Sequence, residues 1–383
     1  MLPDGKSAGA PPQKGCRPMD LQPLLSPLPD GDCLALLQGA AAPLLDWYDQ
    51  NRRPLPWRLD PTPYRVWISE IMLQQTRVAA VLPYFHRFLE ALPDIPSLAA
   101  ADPELLLKLW EGLGYYSRAR NLQACAKACM QTHGGRLPGD YRALLELPGI
   151  GPYTAGAIAS IAFGLPVPAV DGNVHRVFAR LLSAEGDIAA PAVKRALFDL
   201  AAQAVPSDRP GDFNQAIMDL GATVCLPNAL PLCASCPLRE CCQALARETR
   251  HYLPNKAAKK ARRVEKKTVV LVITPQGVLL HKRPDSGLLA GLWEFLLLDG
   301  HLTAAQRGQA LAEWGIPAGR ARRLGQAKHI FTHVEWRMEG VALSCPPFPP
   351  PAGCRFASLK EVRQTYSLPG ALRAYTDLLE ELL

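Results

Sequence analysis

The sequence predicts two folded domains, a mainly α N-terminal domain followed by an α+β C-terminal domain. Its 383 residues exceed the size at which one core keeps growing, so two domains are the default expectation. From residue 34 to about 250, short apolar segments recur at helical spacing between Pro, Gly and Asp. The runs 268–274 and 278–283 flank a Pro-Gln-Gly turn, which indicates a β-hairpin. A helix near 303–314, a strand at 330–341 and a terminal helix capped at Ser367 are expected after it. Strands mixed with helices predict the α+β class for the second domain.

Two further segments complete the predicted organisation. Residues 1–33 are rich in Pro and Gly and lack hydrophobic periodicity, so we expect a flexible leader. Residues 251–267 carry seven Lys or Arg between positions 256 and 267, a composition typical of an interdomain linker. The predicted folded domains are therefore 34–250 and 268–383.

Composition and charge limit the classes of protein that the chain can belong to. Hydrophobic residues make up 48% and charged residues 20%, as in globular proteins, and the net charge of +7 suits a polyanionic partner. No apolar stretch of about 18 residues predicts a membrane span, and the N-terminus lacks the apolar region of a signal peptide. A reducing compartment follows, in which the 11 cysteines serve as metal ligands or buried thiols. Cys125 and Cys129, four positions apart on a predicted helix, indicate ordinary packing.

Four cysteines in one short loop give the strongest metal signal. Cys225, Cys233, Cys236 and Cys242 have the spacing C-x7-C-x2-C-x5-C directly after a helical segment. Four thiolates converging from such a loop hold either a 4Fe-4S cluster or one tetrahedral zinc ion, and the spacing does not separate the two. Cys241 offers an alternative fourth ligand, so that assignment stays open.

A second pattern predicts a helix-hairpin-helix. A short amphipathic helix at 140–147 is followed by Pro-Gly-Ile-Gly and by a second helix that begins at Pro152. Gly149 and Gly151 allow a tight turn whose backbone amides, with the positive end of the second helix, can face a phosphate. Thr154 lies in the same string of residues. The simpler interpretation is a plain turn between two helices.

Two acidic residues, 101 positions apart, stand in informative surroundings. Thr62-Pro63 opens a helix on which Glu70 lies among apolar residues, with Gln74 one turn further on. A lone glutamate on a helix is usually solvated. Asp171 precedes Gly-Asn, where an aspartate is usually a turn residue or a helix cap. It comes shortly after the second hairpin helix, and hence near any DNA that the hairpin holds.

Six motifs follow one another along the chain: WISEIMLQQT (67–76), GLGYYSRARN (112–121), LPGIGPYTAGAI (147–158), VDGNV (170–174), FNQAIMDLGATVC (213–225) and the cysteine loop. Together they resemble the adenine DNA glycosylase (MutY) branch of the endonuclease III superfamily. The resemblance covers about 36–383 and implies a helix-hairpin-helix glycosylase domain with an iron-sulfur cluster loop at 225–242, plus a Nudix-like C-terminal domain. The family's first cysteine gap is usually x6, so the x7 gap here is a departure.

The resemblance implies a hydrolytic mechanism. Breaking an N-glycosidic bond builds positive charge on the sugar and negative charge on the base, so a proton donor and an anion are both needed. Glu70 matches the acid that protonates adenine at N7, for which it needs a raised pKa. Asp171 matches the aspartate that stabilises the sugar cation. Tyr153 stands where strand-cleaving relatives carry a nucleophilic lysine, so we expect base removal without strand cleavage, with Tyr153 and Asn173 packing near the sugar and Asp171.

The resemblance also implies the DNA partner and its contacts. The expected partner is duplex DNA with adenine opposite 8-oxoguanine or guanine, bound by a monomer in a bacterial-type cytoplasm in association with the nucleoid. Gln75 and Tyr115 match wedge residues beside the lesion, and Arg118 and Arg120 suit phosphate contact, although core tyrosines at a helix start are the alternative at 115–116. The full set of expected DNA contacts is Trp57, Arg58, Gln74, Gln75, Tyr115, Gly149, Gly151, Thr154, Phe331, Thr332 and His333.

In the C-terminal domain, the resemblance predicts lesion reading rather than nucleotide hydrolysis. The acidic REx2EE box of a working Nudix hydrolase is missing after 291–295, so hydrolysis there is not expected. The segment 331–333, Phe-Thr-His, matches the family's F-S-H loop that detects 8-oxoguanine, and threonine keeps the hydroxyl group of serine. The competing hypotheses are a glycosylase for oxidised pyrimidines, a non-catalytic DNA-binding protein and, more distantly, a nucleotide hydrolase.

Overall fold

The computed structural model describes residues 30–227, 229–257 and 261–383. Contacts within the chain divide it into two compact units. Unit 1 joins the residues up to Leu59 with Ala155–Ala257, and unit 2 joins Asp60–Thr154 with Ala258–Leu383. Each unit is therefore built from two separate stretches of sequence. Within the described residues, no helix combines the length and the apolar composition needed to cross a membrane.

Helices account for most of the described chain before residue 250. In chain order the α-helices are α1 (Asp30–Gly39), α2 (Ala41–Asn51), α3 (Pro56–Leu59), α4 (Pro63–Leu73), α5 (Val78–Ala91), α6 (Ile95–Ala100), α7 (Pro103–Trp110), α8 (Ser117–Thr132), α9 (Tyr141–Leu145), α10 (Pro152–Ala157), α11 (Gly172–Leu181), α12 (Pro191–Ala204), α13 (Pro210–Thr223), α14 (Gln243–Ala246), α15 (Ala304–Glu313), α16 (Leu359–Gln364), α17 (Arg373–Thr376) and α18 (Leu379–Leu382). A π-helical turn, Ile158–Ala162, continues α10, and 3₁₀ turns lie at Cys233–Ser235 and Gly370–Leu372. The predicted cap at Thr62 is confirmed, because its side chain accepts a hydrogen bond at the start of α4. Asp140, expected as the first residue of a helix, is instead the cap of α9.

Unit 1 is a helical bundle. Helices α1, α2, α11, α12 and α13 bury one continuous apolar cluster, in which Leu37, Leu44, Phe178, Leu197 and Phe213 are almost fully enclosed. The predicted leader 1–33 is wrong at its end, because α1 already begins at Asp30 and Cys33 is 2% exposed in this core. Aspartate is favoured in the first turn of a helix, but it also makes that turn polar. Because loops are polar too, the sequence did not show where α1 begins. Residues 1–29 lie outside the described residues.

Unit 2 begins with the helices α4 to α9. Their core is aromatic, with Trp67, Phe85, Phe88 and Trp110 almost completely buried. The rings of Phe88 and Trp110 meet edge to face with centroids 6.0 Å apart. This packing fixes α4, α5 and α7, and therefore the position of Glu70 on α4.

The rest of unit 2 is a mixed β-sheet with helices on both faces. The strands are β1 (Arg263–Thr274), β2 (Gly277–Lys282), β3 (Trp293–Glu294), β4 (Leu296–Asp299), β5 (Arg320–Ile330), β6 (Val334–Ser344) and β7 (Cys354–Ala357). Their order is β3-β2-β1-β6-β5, with β4 also on β1 and β7 on β2. Only β1 and β6 pair in parallel among the described strands. Helices α16 to α18 cover one apolar face and α15 the other, which confirms the α+β class.

Three local predictions in this region are wrong. The predicted linker 251–267 is wrong at its end, because β1 already begins at Arg263, where parallel pairing with β6 recruits charged residues into the strand. Leu253, near its start, is buried in unit 1. The strand expected at 330–341 is interrupted, since 331–333 form the turn between β5 and β6. Ser367 caps no helix; its buried hydroxyl donates to the carbonyl of Leu107 (3.1 Å) instead.

Candidate functional site

Glu70 lies in the last turns of α4 and is only 5% exposed. The hydroxyl group of Tyr153, at the start of α10, donates a hydrogen bond to its Oε2 atom. Gln74, which follows α4, donates from Nε2 to the hydroxyl of buried Thr154 (3.4 Å). The start of the second hairpin helix therefore holds the end of α4 through two polar contacts. The carboxyl group of Glu70 is thus buried and fixed in orientation where α4 meets the second hairpin helix.

The hairpin between α9 and α10 has the predicted geometry. Gly149 has a φ of 75°, and a Cβ atom there would come within 2.6 Å of Cβ of Asn121, so only glycine fits this turn. A Cβ atom at Gly151 would meet nothing within 4 Å. Both glycines are exposed, whereas Ile150 between them is buried and anchors the turn. The exposed backbone is available for a phosphate.

Asp171 is the N-cap of α11 in unit 1. Its Oδ1 accepts the backbone N–H groups of Asn173 and Val174, and its Oδ2 accepts the Asn173 amide, each at 2.8 Å. Burial raises the pKa of Asp171, and the hydrogen bonds from Val174 and Asn173 offset this only in part. The predicted partnership of Asp171 with Asn173 is present, and the cap role does not exclude a catalytic one.

Two arginines on α11 connect Asp171 to the cysteine loop. Arg176 donates from Nε to the carbonyl of Cys225 (2.8 Å), and from Nη2 to Oδ1 of Asn173 (3.0 Å) and the carbonyl of Gly221 (2.7 Å). A Cβ atom at Gly221 would lie 2.7 Å from Cβ of Asn173, so glycine is needed where α13 approaches. Arg180, one turn later, donates to Sγ of Cys225 (3.3 Å). Neither arginine was predicted as part of the site. Two arginines on the buried face of a helix that begins after Asp171 could have indicated buried hydrogen-bond partners nearby.

The four predicted cysteines line one cavity of about 30 Å³. Cys241 does not line this cavity, and its thiol donates to the carbonyl of Leu238 (3.4 Å), so the structure favours Cys242 as the fourth member. Burial raises the pKa of Cys236 to about 12. The other members of the set are Cys225, Cys233 and Cys242, and Arg180, Arg239 and Arg250 line the same cavity.

The chemistry of this donor set suits an iron-sulfur cluster or a zinc ion. Within the described residues, no three His, Cys, Asp or Glu side chains lie close enough together to share one metal ion. A tetrahedral zinc ion requires all four sulfur atoms about 2.3 Å from one point, whereas a four-iron cluster binds each thiolate at a different corner. The three arginines supply positive charge for an anionic group with four thiolates.

A cavity of about 630 Å³ in unit 2 brings together residues that are far apart in the sequence. Gln75 and Tyr115 line it, as do residues 287–290 and the loop 329–334. The hydroxyl groups of Tyr115 and Thr332 are hydrogen-bonded at 2.9 Å. Tyr115 is 48% exposed, so its ring is accessible from outside. The two predicted wedge residues and the predicted reading loop thus face one cavity.

Aromatic side chains support the predicted reading loop, residues 331–333. Phe331 packs edge to face against Trp336 and His329, with centroids 4.9 and 4.6 Å apart. Thr332 and His333 are exposed, whereas Phe331 is half-buried. Phe331 therefore anchors the loop, and the next two residues present polar groups to the cavity.

Two of the predicted contacts around Tyr115 need correction. Arg118 is 7% exposed, and its terminal nitrogen atoms all donate to backbone carbonyls, so it is not available to a phosphate. Arg120 is half-buried and donates to the carbonyl of Ala290 (2.7 Å). Tyr116 is buried and is the core tyrosine of the alternative interpretation, but Tyr115 is not.

Trp57 and Arg58 lie in unit 1. Trp57 is 4% exposed, and Arg58 binds the carboxylate of Asp219 with both terminal nitrogen atoms (2.5 and 2.9 Å). Arg53 also pairs with Asp219. Burial alone would raise the pKa of Asp219, but the hydrogen bonds and charges of Arg58 and then Arg53 lower it below its usual range. The expected contact of Trp57 and Arg58 with adenine stays a prediction.

Comparison with known proteins agrees with these observations. The stretch 68–203 matches the HhH-GPD superfamily of base excision DNA repair proteins, and 268–378 matches the NUDIX domain. The chain is 39% identical to the adenine DNA glycosylase of Mus musculus, in an alignment covering 83% of this chain and 73% of that protein. For the Homo sapiens adenine DNA glycosylase the identity is 38%, with coverages of 83% and 70%. For that of Schizosaccharomyces pombe it is 33%, with coverages of 76% and 78%.

Proposed function

Because the chain belongs to the adenine DNA glycosylase family of base excision repair, we propose that it excises adenine paired with 8-oxoguanine, or with guanine, in duplex DNA. The observation that carries this choice of substrate is the contact between Tyr115 and Thr332 in the 630 Å³ cavity. An accessible aromatic ring can enter a base stack, and a hydroxyl group beside it can distinguish the N7–H donor of 8-oxoguanine from the N7 acceptor of guanine.

In the proposed mechanism, Glu70 gives its proton to N7 of adenine. The bond between C1′ of the sugar and N9 then breaks, and its electron pair leaves with the base. Tyr153 donates to Oε2, so the transferable proton belongs on Oε1. The carboxylate of Asp171 stabilises the sugar cation until water adds to C1′. The proton that this water loses returns to the carboxylate of Glu70 and restores the acid. A general acid contributes about 10²–10⁴ in rate.

We propose further that no strand cleavage accompanies base removal. A strand-cleaving glycosylase attacks C1′ with an amine and forms a Schiff base. The phenol of Tyr153 cannot form a Schiff base, and it is engaged with Glu70. Abasic sites should therefore break only when alkali is added.

We propose that Cys225, Cys233, Cys236 and Cys242 hold a 4Fe-4S cluster. The convergence of these four on one cavity, with Cys241 outside it, supports this ligand set. When bound, such a cluster would cross-link the loop through iron–thiolate bonds. Arg180 and Arg176 hold Cys225 from α11, so the loop is tied to the helix that begins at Asp171.

The deciding experiment is single-turnover release of adenine from duplexes containing A·8-oxoguanine, A·G and A·T, analysed with and without alkali. We expect the fastest release from A·8-oxoguanine and strand breaks only after alkali. Thr332→Ala should reduce the preference for 8-oxoguanine over guanine about fivefold to tenfold, the effect of one neutral hydrogen bond, and the control Thr332→Ser should retain it. Equal rates on A·8-oxoguanine and A·G in the wild type would refute the proposed reading of 8-oxoguanine by this cavity. Release of thymine glycol from an added duplex that pairs it with A, without release of adenine from A·8-oxoguanine, would refute the reaction.

A further inference from the structure

Arg118, near the start of α8, makes an unusual set of contacts for a buried charged residue. Its Nη1 donates to the carbonyls of Ile71 (2.7 Å), Met72 (3.0 Å) and Gln74 (2.8 Å) at the end of α4. Its Nη2 donates to the carbonyls of Leu113 (2.9 Å) and Gly114 (3.0 Å). One planar group thus joins two segments of chain that are about forty residues apart.

This arginine is costly to bury. Burial lowers the pKa of Arg118 to about 10, and none of the described carboxylates pairs with it. Its Nε atom is buried without a hydrogen-bond partner. In place of a carboxylate, five backbone carbonyls and the ring of Trp110 stabilise this cation, and the carbonyls show which backbone it holds.

Both segments lead directly into a residue with a left-handed backbone. Gln75 has a φ of 59° and Tyr115 a φ of 47°. Residues other than glycine rarely adopt this conformation, because the Cβ atom approaches the following carbonyl oxygen. The carbonyls held by Arg118 belong to Gln74 and Gly114, the residues immediately before the two strained positions. The Cζ atom of Arg118 also lies over the ring of Tyr115, 5.7 Å from the ring centroid.

We infer that Arg118 is a positioning residue that holds Gln75 and Tyr115 in their left-handed conformations, so that both side chains face the 630 Å³ cavity before DNA binds. The inference rests on the proposed reading of the base opposite adenine by that cavity. Preorganised side chains avoid paying for ordering during binding, so Arg118 increases selectivity for the lesion. It does not contact DNA, because all its terminal donors are occupied within the protein.

The first test compares Arg118→Lys with the wild type on A·8-oxoguanine and A·G duplexes. Lysine keeps the charge but has a single nitrogen atom, which cannot span both segments. We expect dissociation constants for A·8-oxoguanine to rise about tenfold, with the single-turnover rate on A·G within about threefold of the wild type. A 2-aminopurine beside the lesion should report reduced insertion of the aromatic ring. Arg87→Lys is the control, because Arg87 also donates to a backbone carbonyl, that of Leu109 (3.4 Å), but does not line the cavity.

A double variant separates positioning from a general structural role. If Arg118 acts through Tyr115, its loss should add little to Tyr115→Ala, so the double variant should bind as weakly as Tyr115→Ala alone. Additive effects, or equal losses on both duplexes, would overturn the inference and make Arg118 a structural residue. If the wild type shows no preference for 8-oxoguanine, the proposed function fails and the inference falls with it. If the preference exists and Arg118→Lys retains it, the inference alone fails.

The wild type provides a second test that does not depend on a variant folding. The amides of Thr76 and Leu113 are hydrogen-bonded to Leu73 and Trp110 beside the two strained residues. If Arg118 orders these segments in advance, both amides should exchange slowly in the DNA-free protein and gain little protection when an A·8-oxoguanine duplex binds. Rapid exchange that slows only on DNA binding would contradict the inference.

Discussion

The phenol of Tyr153 donates its hydrogen bond to the carboxyl group of Glu70. The sequence predicted that Tyr153 would pack beside the sugar and Asp171, but it did not predict this partner. The contact fixes the orientation of the carboxyl group, which burial on α4 alone would not do. We therefore propose that Tyr153 acts in proton transfer, in addition to standing where a nucleophilic amine would be.

Tyr153→Phe tests this role. The phenylalanine ring still fits, but the carboxyl group of Glu70 loses a hydrogen bond. A hydrogen bond to a charged group, such as the carboxylate left after proton transfer, contributes about 1.5–3 kcal/mol. We expect the single-turnover rate of adenine release to fall about tenfold to a hundredfold, with the dissociation constant for an A·8-oxoguanine duplex nearly unchanged. Glu70→Gln is the reference for complete loss of the acid. An unchanged rate for Tyr153→Phe would show that the contact has no catalytic role.

Asp171→Asn should exchange activity for stability. Because burial raises the pKa of Asp171 in the folded state, the folded protein binds this proton more tightly than the unfolded chain does. The charged form therefore destabilises the fold once the pH rises above about 4, the usual range of aspartate, and asparagine removes this cost while keeping the cap of α11.

The expected signature is a gain in melting temperature with a loss of excision. We expect the melting temperature at pH 7 to rise by about 2–4 °C, as about 1 kcal/mol produces in a domain of this size. Adenine release should fall at least about a hundredfold, because the anion that stabilises the sugar is missing. The stability gain should disappear below about pH 4. A variant that is less stable at pH 7 would contradict the sign of the pKa shift.

Arg176→Met should loosen the cysteine loop and Asn173 together. Methionine removes the hydrogen bonds to Cys225, Asn173 and Gly221 while keeping an unbranched side chain. We expect the absorbance of the proposed cluster near 400 nm to decay several times faster in air, and adenine release to fall about tenfold. Arg195→Met, which removes an exposed ion pair with Asp199 on α12, is the control. Normal cluster retention with slow excision would confine the effect to Asn173.

Asp219→Asn should destabilise unit 1. It leaves Arg53 and Arg58 without their buried counter-ion, a change that costs about 3–5 kcal/mol. Because the pKa of Asp219 is lowered in the folded state, its stabilisation is present above the unfolded pKa of about 3.9 and is lost as the pH falls through the folded value. Denaturant unfolding should therefore show a difference at pH 7 that shrinks below about pH 4. A difference independent of pH would indicate loss of packing instead.

Local sequence signals predicted several helix starts, the hairpin and the domain classes well. Thr62, Asp140 and Thr303 each cap a helix that was expected to begin at or next to them, because the capping oxygen and the first amides are near neighbours in the chain. The tight turn at Gly149 and the grouping of the four cysteines around one cavity were also predictable, because each depends on residues within one short segment.

Contacts between distant segments were not predictable in the same way. The bidentate pair of Arg58 with Asp219 joins residues 161 positions apart, and Arg118 looks in the sequence like one more basic residue beside Tyr115. Nothing local distinguishes an arginine that binds phosphate from one that binds buried carbonyls. Charged residues in a strand were also missed, because the parallel partner of β1 lies about seventy positions later in the chain.

The division of unit 2 into two stretches bears on how the chain folds as it leaves the ribosome. Asp60–Thr154 emerges before the second stretch of unit 2. The hydrogen-bond partners of two side chains at the end of α7 come only with the last residues: Lys108 donates to the carbonyls of Val362 and Tyr366, and Glu111 accepts the amide of Leu368. Unit 1 is completed in between, by residue 257. A nascent chain, or one cut short by a nonsense codon near residue 300, would therefore leave the side of α7 that contacts residues 362–368 uncovered. Chaperones and proteases could then bind this surface.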